Sequence, residues 1–121
     1  MAANPADQLH EACADVVFRW KAYGNYGGEA GAIKALRRRA PGHTADQYRA
    51  ALGVLCAVYD GAVSAVGRLR VPRPDKRSRF AEVADIDTGA CRAELDGIAP
   101  EVAAGVKDGI LMRVIYWHYL R

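Results

Sequence analysis

Between Arg49 and Arg68 the chain carries a single charge, Asp60, next to Tyr59 in a run rich in Ala, Val and Gly. A carboxylate among apolar residues is costly to bury unless it is paired and hydrogen-bonded. Two accounts follow. In one, Asp60 is an enclosed acid lining a pocket, with Tyr59, Arg113 and His118 as its partners and a bound ligand or substrate as its purpose. In the other, which the pattern favours, Asp60 lies on a narrow polar strip of a helix and meets water or a structural Arg.

Other chemistry-bearing groups are sparse. Asp7, His10, Glu11 and Cys13 are metal-ligand types on one stretch, but Asp7 and Glu11 fall on the side opposite Cys13. No Glu-x-x-His motif completes a helical metal site, so no metal and no cofactor are expected. The loop "NYGGEAG" places glycines before a helix, yet it lacks Gly-Lys-Ser/Thr, and Glu29 would repel an anion. No Gly-x-Ser-x-Gly, His-Glu-x-x-His or Cys/His pairing is present, so no catalytic residue is assigned. Cys13, Cys56 and Cys91 are odd in number, far apart and without a Cys-x-x-Cys pair, which excludes a disulfide scaffold or zinc knuckle.

The run "ALRRRAPGHTADQYRAAL" has a helix-turn-helix outline, with Arg37, Arg38 and Arg39 ending its first helix. A basic stretch over 68–79 adds Arg73, Lys76, Arg77 and Arg79. Together these cations could neutralise phosphates, which makes a nucleic-acid-binding regulator one alternative. The second helix, however, opens on Asp46 and then turns apolar, as a core helix does and a groove-reading helix does not. A net charge of +3 is too small to require nucleic acid.

These residues need helices to position them. Asn4 and Pro5 are an N-cap and a first-turn proline, and Leu9, Cys13, Val16, Val17 and Trp20 make one stripe that Gly24 ends. Phe18 is expected to point away from that stripe and to offer a second contact surface. A second helix is read over 28–40, with Ile33 and Leu36 inward. Thr44 and Gln47 form a capping box for a long helix over about 45–69. Its seam is Tyr48, Leu52, Leu55, Tyr59, Ala62, Val66 and Leu69, at alternating spacings of four and three. Gly53, Ala57, Gly61 and Ser64 make a second, small-residue face that lets another backbone approach closely, so the long helix is expected to pack on two faces at the centre of the bundle.

Pro72 and Pro74 break the helical pattern and mark 68–79 as a basic connector. Phe80, Val83 and Ile86 suggest a short helical turn. Asp87 or Thr88 caps a helix through Leu95, and Ala99-Pro100-Glu101 is expected to start the last helix, over about 100–121. In that helix Ile110, Val114 and Trp117 lie on one side and Met112, Ile115, Tyr116 and Tyr119 on the other, so it is expected to be buried all round.

The expected architecture is one all-α domain over 1–121, a four- or five-helix bundle around the long helix. The leading function is a small, soluble, non-enzymatic interaction module that binds a protein partner or itself as a homodimer, with Phe18, Tyr116, Trp117 and Tyr119 at the interface. The long helix reads as a core element and no membrane span is expected, because Asp60 would sit near its centre. The opening "MAANPADQLHEA" has neither a basic nor an apolar leader region, so a cytoplasmic location is expected.

Overall fold

A computed structural model of the chain describes residues 4–69 and 86–120, with the backbone alone at 119 and 120. It is all-α: α1 (Pro5–Tyr23), α2 (Glu29–Arg39), α3 (Ala45–Arg68), α4 (Thr88–Ile98) and α5 (Ala104–Ile115), followed by a π-helical turn, Tyr116–Leu120. The described residues contain no strand. Residues 70–79 of the basic connector, with Phe80 and Val83, lie outside the described residues. The chain forms two compact units, Met1–Ala57 and Val58–Arg121, with the boundary inside α3.

The first unit is built from α1, α2 and the start of α3. Asn4 Oδ1 accepts the Asp7 amide at 2.8 Å, Pro5 occupies the first turn, and Gly24 closes the helix at φ 72°, a left-handed conformation open to glycine. Leu9, Cys13, Val16 and Val17 are buried as the stripe requires. Phe18 is buried too, at 7% exposure, and packs edge-on against the Tyr23 ring with centroids 5.4 Å apart. The expectation of an outward Phe18 therefore fails. Ala14 and Phe18, four residues apart, are both buried and widen the apolar arc beyond the stripe first counted. Ala32 and Leu36 bring α2 into the same core.

The capping box of α3 forms as read: Gln47 N–H donates to Thr44 Oγ1 at 3.1 Å and Thr44 N–H to Gln47 Oε1 at 2.8 Å. Tyr48 is 1% exposed, and its hydroxyl donates to the Ala40 carbonyl at 2.7 Å, fastening the turn before α3. Cys13 is fully buried, which pushes its thiol up to about 12, with Cys56 adding to the effect.

The second unit holds the rest of α3, with α4 and α5. Tyr59, Ala62 and Val66 continue the buried seam, joined by Val58 and Ala65. Of the small-residue face, Gly53, Ala57 and Ser64 are exposed, while Gly61 lies against Ile98 Cδ1. Asp87 caps α4 by accepting the Ala90 amide at 3.0 Å. The last helix begins at Ala104, not at Pro100. Ala99 and Val102 are buried, and Val102 N–H donates to the Ala99 carbonyl, so residues 99–103 close a turn that anchors both helices. Nor is the last helix buried all round. Ile110, Leu111, Val114 and Ile115 face the core, while Met112, Arg113 and Tyr116 face out.

By length and composition α3 could cross a membrane, with a mean hydropathy of 1.6 over its most apolar eighteen residues; 44% of that window is buried within the protein.

Candidate functional site

Four residues were expected around an acidic pocket, and the structure brings two of them together. Tyr59 on α3 and His118 on the π-helical turn meet with the phenol oxygen 2.9 Å from His118 Nε2. Tyr59 is 5% exposed, and burial raises its phenol above the ordinary range, with the neighbouring Asp60 adding to the shift. His118 itself is exposed. Asp60 is also exposed and forms no ion pair or hydrogen bond among the described residues, so no enclosed acid exists at this position. Gly53, Ala57, Asp60 and Ser64 follow one another at spacings of four, three and four and are all exposed, which is the geometry of an outward helix face. Asp60 falls on that face while Tyr59 falls on the core side. Arg113 is exposed on α5.

The three described cations of the nucleic-acid alternative are all exposed, but two are engaged. Arg39 forms an ion pair with Asp15, which Arg19 Nε also approaches at 3.0 Å. The Arg37 guanidinium lies over the Tyr48 ring, 5.6 Å from its centre. Arg38 has no ion pair among the described residues. Arg73, Lys76, Arg77 and Arg79 lie outside them.

Of the expected interface residues, Phe18 is interior, Trp117 is half-buried, and Tyr116 is 64% exposed. The Tyr116 amide still bonds back to the Met112 carbonyl, so Tyr116 stands one turn beyond Met112, itself 38% exposed. These two form an outward apolar step at the end of α5. The side chain of Tyr119 is outside the described residues.

Sequence reasoning missed a concave feature of the first unit. A groove of about 580 Å³ runs between the first turns of α1 and the first half of α3. Pro5, Ala6, Leu9 and His10 line one wall and Gln47, Ala50, Ala51 and Val54 the other, with Gly42 and His43 at one end. The side chains at 6, 50 and 51 are alanines, and their small size leaves the space open. The spacing of 47, 50, 51 and 54 is a helix face that could be read from sequence, but its pairing with residues 5–10 is a tertiary fact. A smaller hollow of about 250 Å³ lies beside Trp20, Leu52, Gly53 and Cys56, where Arg49 Nε approaches Glu29 at 3.6 Å. Among the described residues no three His, Cys, Asp or Glu side chains gather to hold a metal ion.

No protein-family model, curated protein or solved structure matches the chain.

Proposed function

We propose that the chain is a small, non-enzymatic helical interaction module that pairs with a second copy of itself through the outward face of α5 and its π-helical turn. The observation that carries this is Tyr116, 64% exposed one turn beyond the half-exposed Met112. A tyrosine can bury a large apolar ring and still satisfy its hydroxyl at a wet rim, which is why tyrosines so often anchor protein contacts. The nucleic-acid alternative has weaker support, since Asp15 and Tyr48 already occupy Arg39 and Arg37. An acid-centred ligand or catalytic site loses its main argument with Asp60 in water.

Sedimentation equilibrium from micromolar to millimolar concentration tests the proposal. The mass should approach twice that of the chain as concentration rises, and a Met112→Ser, Tyr116→Ser double variant should stay monomeric with an unchanged helical spectrum. A monomeric mass throughout, or a dimer unaffected by the double variant, removes this face as a self-association surface.

A further inference from the structure

We propose that the groove between α1 and α3 of the first unit binds an amphipathic monocarboxylate, a small molecule with an apolar body and one carboxylate head. The inference is independent of self-association and uses none of the same residues.

The shape argument is direct. Ligand sites in proteins are concave, mostly apolar and of about 300–1,000 Å³, with a few polar groups that fix orientation. This groove, at about 580 Å³, has Pro5, Ala6, Leu9, Ala50, Ala51 and Val54 as apolar lining and its polar groups gathered in His10, His43 and Gln47.

Each of the polar groups can donate. His10 Nδ1 is buried and has no hydrogen-bond partner. No hydrogen bond among the described residues holds the ring in one tautomer, so it can offer an N–H from whichever nitrogen an acceptor reaches. His10 is half-buried and lines the groove. His43 spends its backbone N–H on the Tyr48 hydroxyl at 3.3 Å, and its ring stands edge-on to Tyr48 with centroids 5.6 Å apart. Neither His43 ring nitrogen bonds to another described residue. Gln47 uses Oε1 to accept the Thr44 amide, so its NH₂ remains to donate.

The charge argument selects the head group. No Asp or Glu lines the groove. Pro5 and Ala6 are in the first turn of α1 and Gln47 is in the first turn of α3, so both walls present the positive end of a helix dipole. Asp7 and Asp46 share those turns and offset part of that field, though neither lines the groove. Imidazole and amide N–H groups with no acid in the lining are complementary to a carboxylate, and hydrogen bonds to an ionised acceptor are roughly twice as strong as neutral ones.

Heteronuclear NMR titration of the full chain with octanoate tests this, with octanol as the matched molecule lacking the charge. Saturable shifts are expected at His10, His43, Leu9 and Val54, with octanol weaker by roughly tenfold or more. A His10→Leu, His43→Leu double variant, which removes both imidazole donors, should lose the preference for octanoate while keeping the weak octanol binding. Ala50→Trp should fill the groove and abolish both; Ala50→Leu, a smaller change at the same exposed position, should weaken both and guards against misfolding of the Trp variant. No saturable shift with millimolar octanoate, equal binding of octanol, or full binding by Ala50→Leu and Ala50→Trp chains with native spectra would each overturn the proposal.

Discussion

The side chain of Lys107, in the first turns of α5, reaches back so that its Nζ lies 2.9 Å from the carbonyl oxygen of Ala99 at the end of α4. Lys107 is 5% exposed, and its ammonium also sits 2.8 Å from the carboxylate of Asp96, a side chain that is 62% exposed. Two cations of the same formal charge can thus have opposite roles in one protein: Arg38 is a solvated surface charge, whereas Lys107 joins two helices from within.

The pair is asymmetric, and the asymmetry gives a prediction. Asp96→Asn removes the counter-charge and leaves a buried ammonium with one carbonyl, which is the costly way to break such a pair. Because Asp96 is largely in water, the expected loss is discounted to about 1–2 kcal/mol. Lys107→Met removes the charge together with its desolvation cost, keeps the apolar stem, and leaves Asp96 to water. The Ala99 carbonyl still accepts from Val102 N–H at 3.2 Å. The expected loss is about 1 kcal/mol or less. The double variant should therefore be no less stable than Lys107→Met alone. Urea unfolding of the three variants measures this; a double variant whose losses simply add would contradict the coupling.

Acid should reveal a second coupling, between α3 and α4. Arg68 grips Glu94 with both ends of its guanidinium, Nη1 to Oε1 at 3.1 Å and Nη2 to Oε2 at 2.5 Å. The hydrogen bond from Arg68 holds the Glu94 carboxyl below its ordinary value of 4.5. As pH falls, the unfolded chain takes up this proton before the folded chain does, so folding is progressively disfavoured. The contribution is complete at neutral pH and is lost as pH drops through and below about 4.5. Glu94→Gln should flatten this part of the acid limb. The melting temperatures of variant and wild type should differ at neutral pH and converge toward pH 3 (about one to two units below the ordinary glutamate value). Both groups are at the surface, so added salt should shrink the difference. A gap that persists unchanged into acid would show that the ion pair is not its source.

What was legible in the sequence was whatever is local. Caps at Asn4 and Thr44 declare themselves within three residues, and the α3 seam repeats from Tyr48 to Val66, so the register of the longest helix could be read without knowing its neighbours. The narrow polar strip read for Asp60 agrees with its exposure, whereas the small-residue face, read as a second packing surface, is exposed at Gly53, Ala57 and Ser64. What could not be read depends on partners remote in sequence. Phe18 is interior through packing that the α1 stripe does not encode, with the Tyr23 ring edge-on to it. Pro100 fails to start α5 because Ala99 and Val102 are needed as buried anchors of the turn. Nothing in the sequence separates Lys107 from a surface cation, since its acceptor is a backbone carbonyl with no signature. The His10–His43 groove exists only once α1 and α3 are set side by side.

Two helical glycines should respond oppositely to the same substitution. A Cβ on Gly31, in the first turn of α2, would overlap the carbonyl oxygen of Tyr26. Tyr26 holds a left-handed backbone at φ 72°, so its carbonyl is fixed by the loop and cannot swing aside as a side-chain tip would. Gly31→Ala should therefore destabilise by about 1–3 kcal/mol through overpacking, which exceeds the gain in helix propensity. A Cβ on Gly53 meets nothing within 4 Å. Gly53→Ala on that exposed face of α3 should stabilise by about 0.5–1 kcal/mol, because the unfolded chain loses freedom and no contact is strained. Denaturant midpoints at unchanged slope measure both. If Gly31→Ala matched or exceeded wild-type stability, the tight approach of the Tyr26 carbonyl to α2 could not be the reason for glycine at position 31.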